Sequence, residues 1–294
     1  MLTQANQKDS LGGSDPRKQT DQGKSLPSSK CWRLSPWNGK WEEMACMKIP
    51  RTNFASCHFR GKIYAFGGKN SGGEVLSSCE RFDPSIKPKG AWNSVMPMPS
   101  PCMSMTVAKY GDKLCVIGGV SSARNGVKRP ILTSVLIYDP KSNTWSEGTS
   151  LDHGRCYSAA ASHYNRLYLT GGAGKESDND RTKSLQDVLC YEDGEWERVG
   201  LLKRPRHGHC MVKIGMRNCV NASEGPLMKP FPNRPLFSHL GRRELGHNGA
   251  FGFCRAVQYA NKSLILTRGQ HPSQTDRNEW SSDLSTSFIF KPNK

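Results

Sequence analysis

Lys62-Ile-Tyr-Ala-Phe-Gly67-Gly68, Lys113-Leu-Cys-Val-Ile-Gly118-Gly119 and Arg166-Leu-Tyr-Leu-Thr-Gly171-Gly172 are three versions of one sentence. Each is a short apolar run that stops on paired glycines, the pattern of a buried strand followed by a sharp turn. The pairs are 51 and 53 residues apart, and Trp41, Trp92, Trp145 and Trp196 are 51, 53 and 51 apart. Each of the first three tryptophans precedes its glycine pair by 26 residues. A constant internal offset means one supersecondary unit copied several times.

The rest of the unit can be read outward from the glycines. Before each quoted run lies a small or apolar stretch, such as Met103-Ser-Met-Thr-Val-Ala or Tyr157-Ser-Ala-Ala-Ala, joined to it through a turn at Gly61, Gly111 or Asn165. That makes a hairpin. After the glycines comes a loop of variable length, then Ser78-Cys-Glu-Arg-Phe-Asp-Pro, Val135-Leu-Ile-Tyr-Asp-Pro or Val188-Leu-Cys-Tyr-Glu-Asp-Gly, then the tryptophan strand. Four strands per unit are expected. Paired glycines suit a strand end where a side chain would collide and where positive φ is needed. The tryptophans, with Phe82, Tyr138 and Tyr191, are expected to be the large apolar contacts between adjacent sheets.

Gly-Gly, then Tyr-Asp-Pro, then Trp in units near 50 residues resembles the kelch repeat, whose units are blades of a β-propeller. The fold expectation is all-β: three complete four-stranded blades, partial blades and a non-repeat tail. The resemblance is strongest to the propellers of the BTB-kelch adaptors, which recruit substrates to cullin-3 ubiquitin ligases. It implies a protein-interaction scaffold that binds a partner or a ligase substrate through one face. Residues 1–30 hold nothing like the helical BTB and BACK domains that contact cullin-3, so a cullin-3 complex is expected only indirectly. Some kelch propellers bind actin, and a few kelch-like propellers are oxidases or epimerases. The convergent Tyr, His and Cys set of a copper oxidase cannot be assembled here, so no enzyme activity and no cofactor are expected.

At the N-terminal side, Leu34-Ser-Pro-Trp-Asn-Gly-Lys-Trp41 aligns without a gap to Tyr138-Asp-Pro-Lys-Ser-Asn-Thr-Trp145. Residues 1–30 then read either as a remnant of a preceding blade, with Gly12-Gly13 as its glycine pair, or as a disordered arm. Downstream, Trp196 calls for glycines at 222 and 223, where Ala222 and Ser223 stand. The repeats therefore span 31–220, with units at about 42–92, 93–145 and 146–196 and a partial unit at 197–220. From Asn221 the composition turns to Pro, Arg, Ser and His, and 221–294 reads as a disordered basic tail. The chain reads as a shortened form of a longer kelch protein.

Of 294 residues, 42 are Lys or Arg and 25 Asp or Glu, a formal charge of +17. Such a balance favours acidic partners. The excess is spread along the chain, with 31 basic against 20 acidic residues up to 215 and 11 against 5 beyond, and no like-charge block stands out. That distribution argues against a nucleic-acid binder and for a basic solvated surface. Eleven cysteines without paired spacing, and an N-terminus without an apolar signal stretch, read as reduced thiols in a cytoplasmic, nuclear or cytoskeletal protein. No apolar run reaches the length of a membrane span.

Chemical motifs are sparse. Gly172-Ala-Gly174-Lys175 fails as a phosphate loop, because Leu169 and Glu176 stand where glycine and a hydroxyl residue are required. His207, His209, Cys210 and Cys219 carry zinc-ligand chemistry, but the strand alternation puts Cys210 on the other face from the histidines and Cys219 aligns with core Cys115. No metal is expected.

One feature recurs at a single repeat position. Ten residues after each tryptophan stand Arg51, Cys102, Arg155 and Arg206. In kelch proteins the segment leading into the first strand and the loop after Gly-Gly line the partner face. The resemblance therefore implies partner binding by Arg51, Arg155 and Arg206 with loops 69–77, 120–134 and 173–187. Three guanidinium groups on one face suit an acidic or phosphorylated peptide, since each can grip a carboxylate or phosphate with two hydrogen bonds; the alternative is an ordinary solvated or blade-pairing arginine of the repeat.

Overall fold

The computed structural model describes residues 8–19, 23, 25–35, 38–122, 129–175, 181–215, 236–239, 262–267 and 288–291. Every regular element in them is a strand, so among the described residues there is no helix to cross a membrane. Three antiparallel sheets hold four strands in chain order. They are Ala55–Phe59, Lys62–Phe66, Cys79–Asp83 and Ala91–Val95; Thr106–Tyr110, Lys113–Ile117, Val135–Asp139 and Thr144–Gly148; and Ala159–His163, Arg166–Thr170, Asp187–Glu192 and Glu195–Leu201. The architecture is all-β, a succession of antiparallel meander sheets.

Register repeats from sheet to sheet. The first strand begins opposite the residue before the glycine pair: Ala55 faces Phe66, Thr106 faces Ile117 and Ala159 faces Thr170. The aromatic of the third strand faces the tryptophan of the fourth in all three, as Phe82–Trp92, Tyr138–Trp145 and Tyr191–Trp196. Their rings lie 4.9 to 5.3 Å apart.

The chain divides into two compact units, one of residues 1–157 with 173–183, the other of 158–172 with 184–294. In the first unit the aromatics bind neighbouring sheets together. Phe66 meets Tyr138 at 5.8 Å and Trp145 at 5.6 Å. The indole N–H of Trp92 donates to the Ala45 carbonyl and that of Trp145 to the Met96 carbonyl, each at 3.0 Å. Trp41, in the first sheet, is instead 43% exposed. The core there is Cys31, Met44, Ile63, Ala65, Phe82 and Trp92 on one side of the second sheet, and Phe66, Leu114, Val116 and Tyr138 on the other. The second unit has its own core of Ala159, Tyr168, Val188, Cys190, Leu202 and Met211.

Before the first complete sheet lies a three-stranded one, Lys8–Leu11, Cys31–Leu34 and Trp41–Met44 in that order. Leu11 runs straight into Gly12 and Gly13, and the Gly12 N–H donates to Lys30 just as Gly67 donates to Ser78 and Gly118 to Ser134. Residues 8–44 thus hold strands two to four of the repeat.

The region from Asn221 onward differs from the reading of a disordered tail. Cys210–Gly215 pairs with Lys262–Thr267, which pairs with Phe288–Lys291, and Leu236–His239 takes the fourth place. Cys210 faces Thr267 as Ala159 faces Thr170. The first three places are filled in the repeat's own order. What hid this from the sequence is the long stretch between first and second strand: it carries the second strand far beyond the position at which the offset from Trp196 predicts it.

Candidate partner-binding face

Each sheet is joined to the next by a lead-in segment that begins at the arginine position: 51–54, 102–105, 155–158 and 206–209. The backbone at that position makes the same two bonds every time. Its N–H donates to a carbonyl in the preceding loop, from Arg51 to Ser28, Cys102 to Leu76, Arg155 to Leu132 and Arg206 to Leu185. Its carbonyl accepts from the second glycine of the preceding pair, at 3.1 Å from Gly13, 2.9 Å from Gly68, 2.8 Å from Gly119 and 2.8 Å from Gly172.

This bond explains the glycine pairs. A Cβ on Gly67, Gly118 or Gly171 would collide with the carbonyl oxygen of Cys102, Arg155 or Arg206. All six glycines, 67, 68, 118, 119, 171 and 172, also have positive φ, between 52° and 105°. Close approach and left-handed backbone both require glycine there.

The arginine side chains do not face a partner. Arg51 is 0% exposed, Arg155 3% and Arg206 6%. Arg51 turns back into its own sheet, donating to the carbonyls of Gly67 at 2.7 Å and Ser78 at 2.9 Å and to the Glu80 carboxylate at 2.7 Å. Glu80 in turn accepts the backbone N–H groups of Lys48 and Ile49. A guanidinium held this way is a buried tie, so the expected arginine ring for acidic ligands is corrected. Repeat spacing shows which residues are equivalent; it does not show which way they point. Glu80, one residue before Arg81 on the third strand, was the signal available in the sequence.

Two places on, the lead-in turns sharply, leaving Tyr157 and Gly208 exposed, Asn53 half-buried and Ser104 buried. Asn53, Ser104, Tyr157 and Gly208 all adopt positive φ, from 53° to 64°. The Ser104 N–H donates to the Asn53 carbonyl at 2.7 Å and the Tyr157 N–H to the Ser104 carbonyl at 2.9 Å, so these turns are laced together within the first unit. Left-handed backbone costs a tyrosine about 1–2 kcal/mol. Tyr157 bears that cost while 39% exposed. Beside these turns stand the post-glycine loops. Lys69 bridges to Thr52, and Asn70 closes its loop on Glu74 through two side-chain bonds. Val120 bridges to Ile131, and Ala173–Gly174 pairs with Arg155–Cys156. Residues 123–128 and 176–180 of the expected loops lie outside the described residues.

The histidines have other occupations than metal. His207 Nδ1 lies 2.8 Å from Ser184 Oγ, and His209 Nε2 lies 2.9 Å from Thr170 Oγ1. Both rings are buried. Burial, with the charge of Arg206, pulls His209 down to a pKa of about 3, so it is neutral at physiological pH. Cys219 lies outside the described residues, and among those described no group of three metal-ligating side chains occurs.

Repeating four-stranded sheets, glycine pairs clamped by the next lead-in and paired aromatic–tryptophan strands define a kelch-type propeller. The chain belongs to the KLHDC2/KLHL20/DRC7 Kelch-repeats domain family, whose profile matches residues 10–220. It is 31% identical over 210 residues to Beta-scruin of Limulus polyphemus, covering 66% of this chain and 22% of that protein. It is 28% identical over 210 residues to Kelch-like protein 15 of Danio rerio, covering 62% and 32%. The chain thus spans about a fifth to a third of these curated relatives. Among solved structures, one described as "Structure of YjhT" matches with a TM-score of 0.59 at 17% identity, over 70% of this chain and 71% of that one, a likeness of fold.

Proposed function

We propose that this protein is a non-enzymatic binding protein whose partner is another protein, docked on the face that the lead-in turns and the post-glycine loops build in the first unit. The observation that carries the reading is Tyr157: a bulky side chain held in left-handed backbone and left 39% exposed at the position where the neighbouring repeats place Asn53 and Ser104. Strain of that kind persists where surrounding structure imposes it, and it clusters at binding sites. Exposed tyrosine is also favoured at interface centres. Kelch relatives support the binding class. The finer reading is recruitment of a ubiquitin-ligase substrate, with the described strands and loops as the part that holds that substrate.

The test places a photo-crosslinking amino acid at Tyr157, at Asn70 or, as a control on an outer strand of the same unit, at exposed Asn93. A defined protein captured from 157 and 70 but not from 93, and lost about tenfold or more in Tyr157→Ala with unchanged thermal unfolding, is the expected result. Capture from 93 alone, or full retention by Tyr157→Ala, would overturn the assignment of the face.

A further inference from the structure

The opposite ends of the first unit's sheets carry a different chemistry. There the turns join first to second strands and third to fourth strands, at 38–41, 59–62, 83–91, 109–113 and 139–144. These segments hold eight basic and three acidic residues, whereas loops 69–77, 120–134 and 173–187 hold seven and five. The excess of charge that the whole chain spreads thinly is here gathered at one end of three adjacent sheets. Their adjacency is fixed by the Ala45 N–H to Lys89 carbonyl bond at 3.1 Å and the Met96 N–H to Asn143 Oδ1 bond at 2.9 Å.

The acidic residues are engaged locally. Lys62 bridges Asp83 at 2.6 Å, Lys141 bridges Asp112 at 3.6 Å, and Asp139 accepts the backbone N–H of Lys141 at 2.8 Å. Lys89 bridges Glu43 at 3.4 Å, Lys40, Arg60, Lys87 and Lys109 are exposed, and Lys113 is half-buried. Two large apolar side chains lie among them, Trp41 and Ile86, each 43% exposed. Cations interleaved with uncovered apolar surface define the complement: carboxylates spaced by bulky apolar residues.

We propose that this turn end is a second docking surface, which binds an acidic segment of a partner polypeptide with apolar residues between its carboxylates. The carboxylates of Asp83, Asp112 and Asp139 interrupt the basic run and favour a polypeptide over nucleic acid. A phosphate backbone carries charge at every step and would meet all three, while a polypeptide can set neutral residues against them. One exposed tryptophan among lysines is also a poor platform for stacking successive bases. Lysine, as a point charge on a long stem, tolerates the variable spacing of such a segment.

The probe is a short fluorescein-labelled peptide alternating glutamate and leucine, followed by anisotropy against the full chain. Binding should weaken about tenfold or more in Arg60→Glu, Lys87→Glu, Lys109→Glu combined, persist when the same positions are exchanged between Lys and Arg, and fall as salt rises from about 50 to about 300 mM. Trp41→Ala should weaken it further, and Tyr157→Ala should leave it unchanged, which separates this surface from the loop face. Circular dichroism confirms that each variant folds. Equal binding by wild type and the charge-reversed variant, no binding of the peptide, or tighter binding of an oligothymidine lost in the same variant would each overturn the proposal.

Discussion

The guanidinium of Arg51 and the carboxylate of Glu80 meet at 2.7 Å with side-chain exposures of 0% and 1%. A charge pair so placed stabilises only while both partners are present, because removing one leaves the other buried and uncompensated. The neighbouring repeat shows the alternative solution: at the equivalent positions it has Cys102 and Leu136, both apolar. Arg51→Ala or Glu80→Ala should therefore each cost about 3–5 kcal/mol in urea unfolding. The pair Arg51→Cys with Glu80→Leu, copying the neighbour, should recover most of that loss. A double variant no more stable than either single one would show that the ion pair cannot be exchanged for apolar packing.

The glycine pairs should divide by what a methyl group would meet. At Gly118 a Cβ would strike the Arg155 carbonyl, while at Gly111, also at positive φ, nothing lies within 4 Å. Gly111→Ala should cost about 1 kcal/mol, the backbone penalty alone. Gly118→Ala should cost clearly more, because a blade-to-blade hydrogen bond must shift as well. Differential scanning calorimetry on both variants checks it. Equal losses would mean that only backbone conformation, and not the close approach, selects glycine here.

The parts of this fold that were legible in the sequence share a cause. A strand that ends on Gly-Gly and a tryptophan opposite an aromatic are constraints imposed by immediate neighbours, so each copy must repeat them, and spacing reveals them. Side-chain direction at Arg51 is set by Glu80, 29 residues away, and the next two sheets have leucine there, Leu136 and Leu189. The period therefore showed equivalence and suggested a binding ring that burial rules out. The last sheet was missed for a different reason. Ser263-Leu-Ile-Leu-Thr does resemble Leu167-Tyr-Leu-Thr, but it is followed by Arg268-Gly269 and stands far from the expected offset, so a search by fixed spacing passes over it.

Thiol reactivity should follow burial. Cys46 is exposed, whereas Cys31, Cys102, Cys115 and Cys156 are buried and desolvation pushes each thiol up to about 12. The thiolate is the reacting species, so these four should be nearly inert in the folded protein. Iodoacetamide pulse labelling at neutral pH with peptide mass spectrometry should find Cys46 modified at least about a hundredfold faster. Comparable labelling of Cys102 or Cys156 would show that the lead-in segments open readily.

His209 gives the fold a pH dependence whose sign is fixed by its surroundings. Buried against Thr170 and next to Arg206, it titrates near 3 in the folded chain, while an unfolded histidine titrates near 6.5. Above about pH 6.5 both states are neutral and the residue contributes no pH dependence. Between about 6.5 and 3 the unfolded state binds the extra proton, so stability falls as pH falls, by up to about 1.4 kcal/mol per pH unit. Going from pH 7 to pH 5 should cost about 2 kcal/mol from this site. His209→Gln should be less stable at pH 7, through its altered packing, and should show a shallower loss on acidification. Parallel urea titrations at the two pH values measure the difference, and identical slopes for variant and wild type would assign the acid sensitivity to other groups.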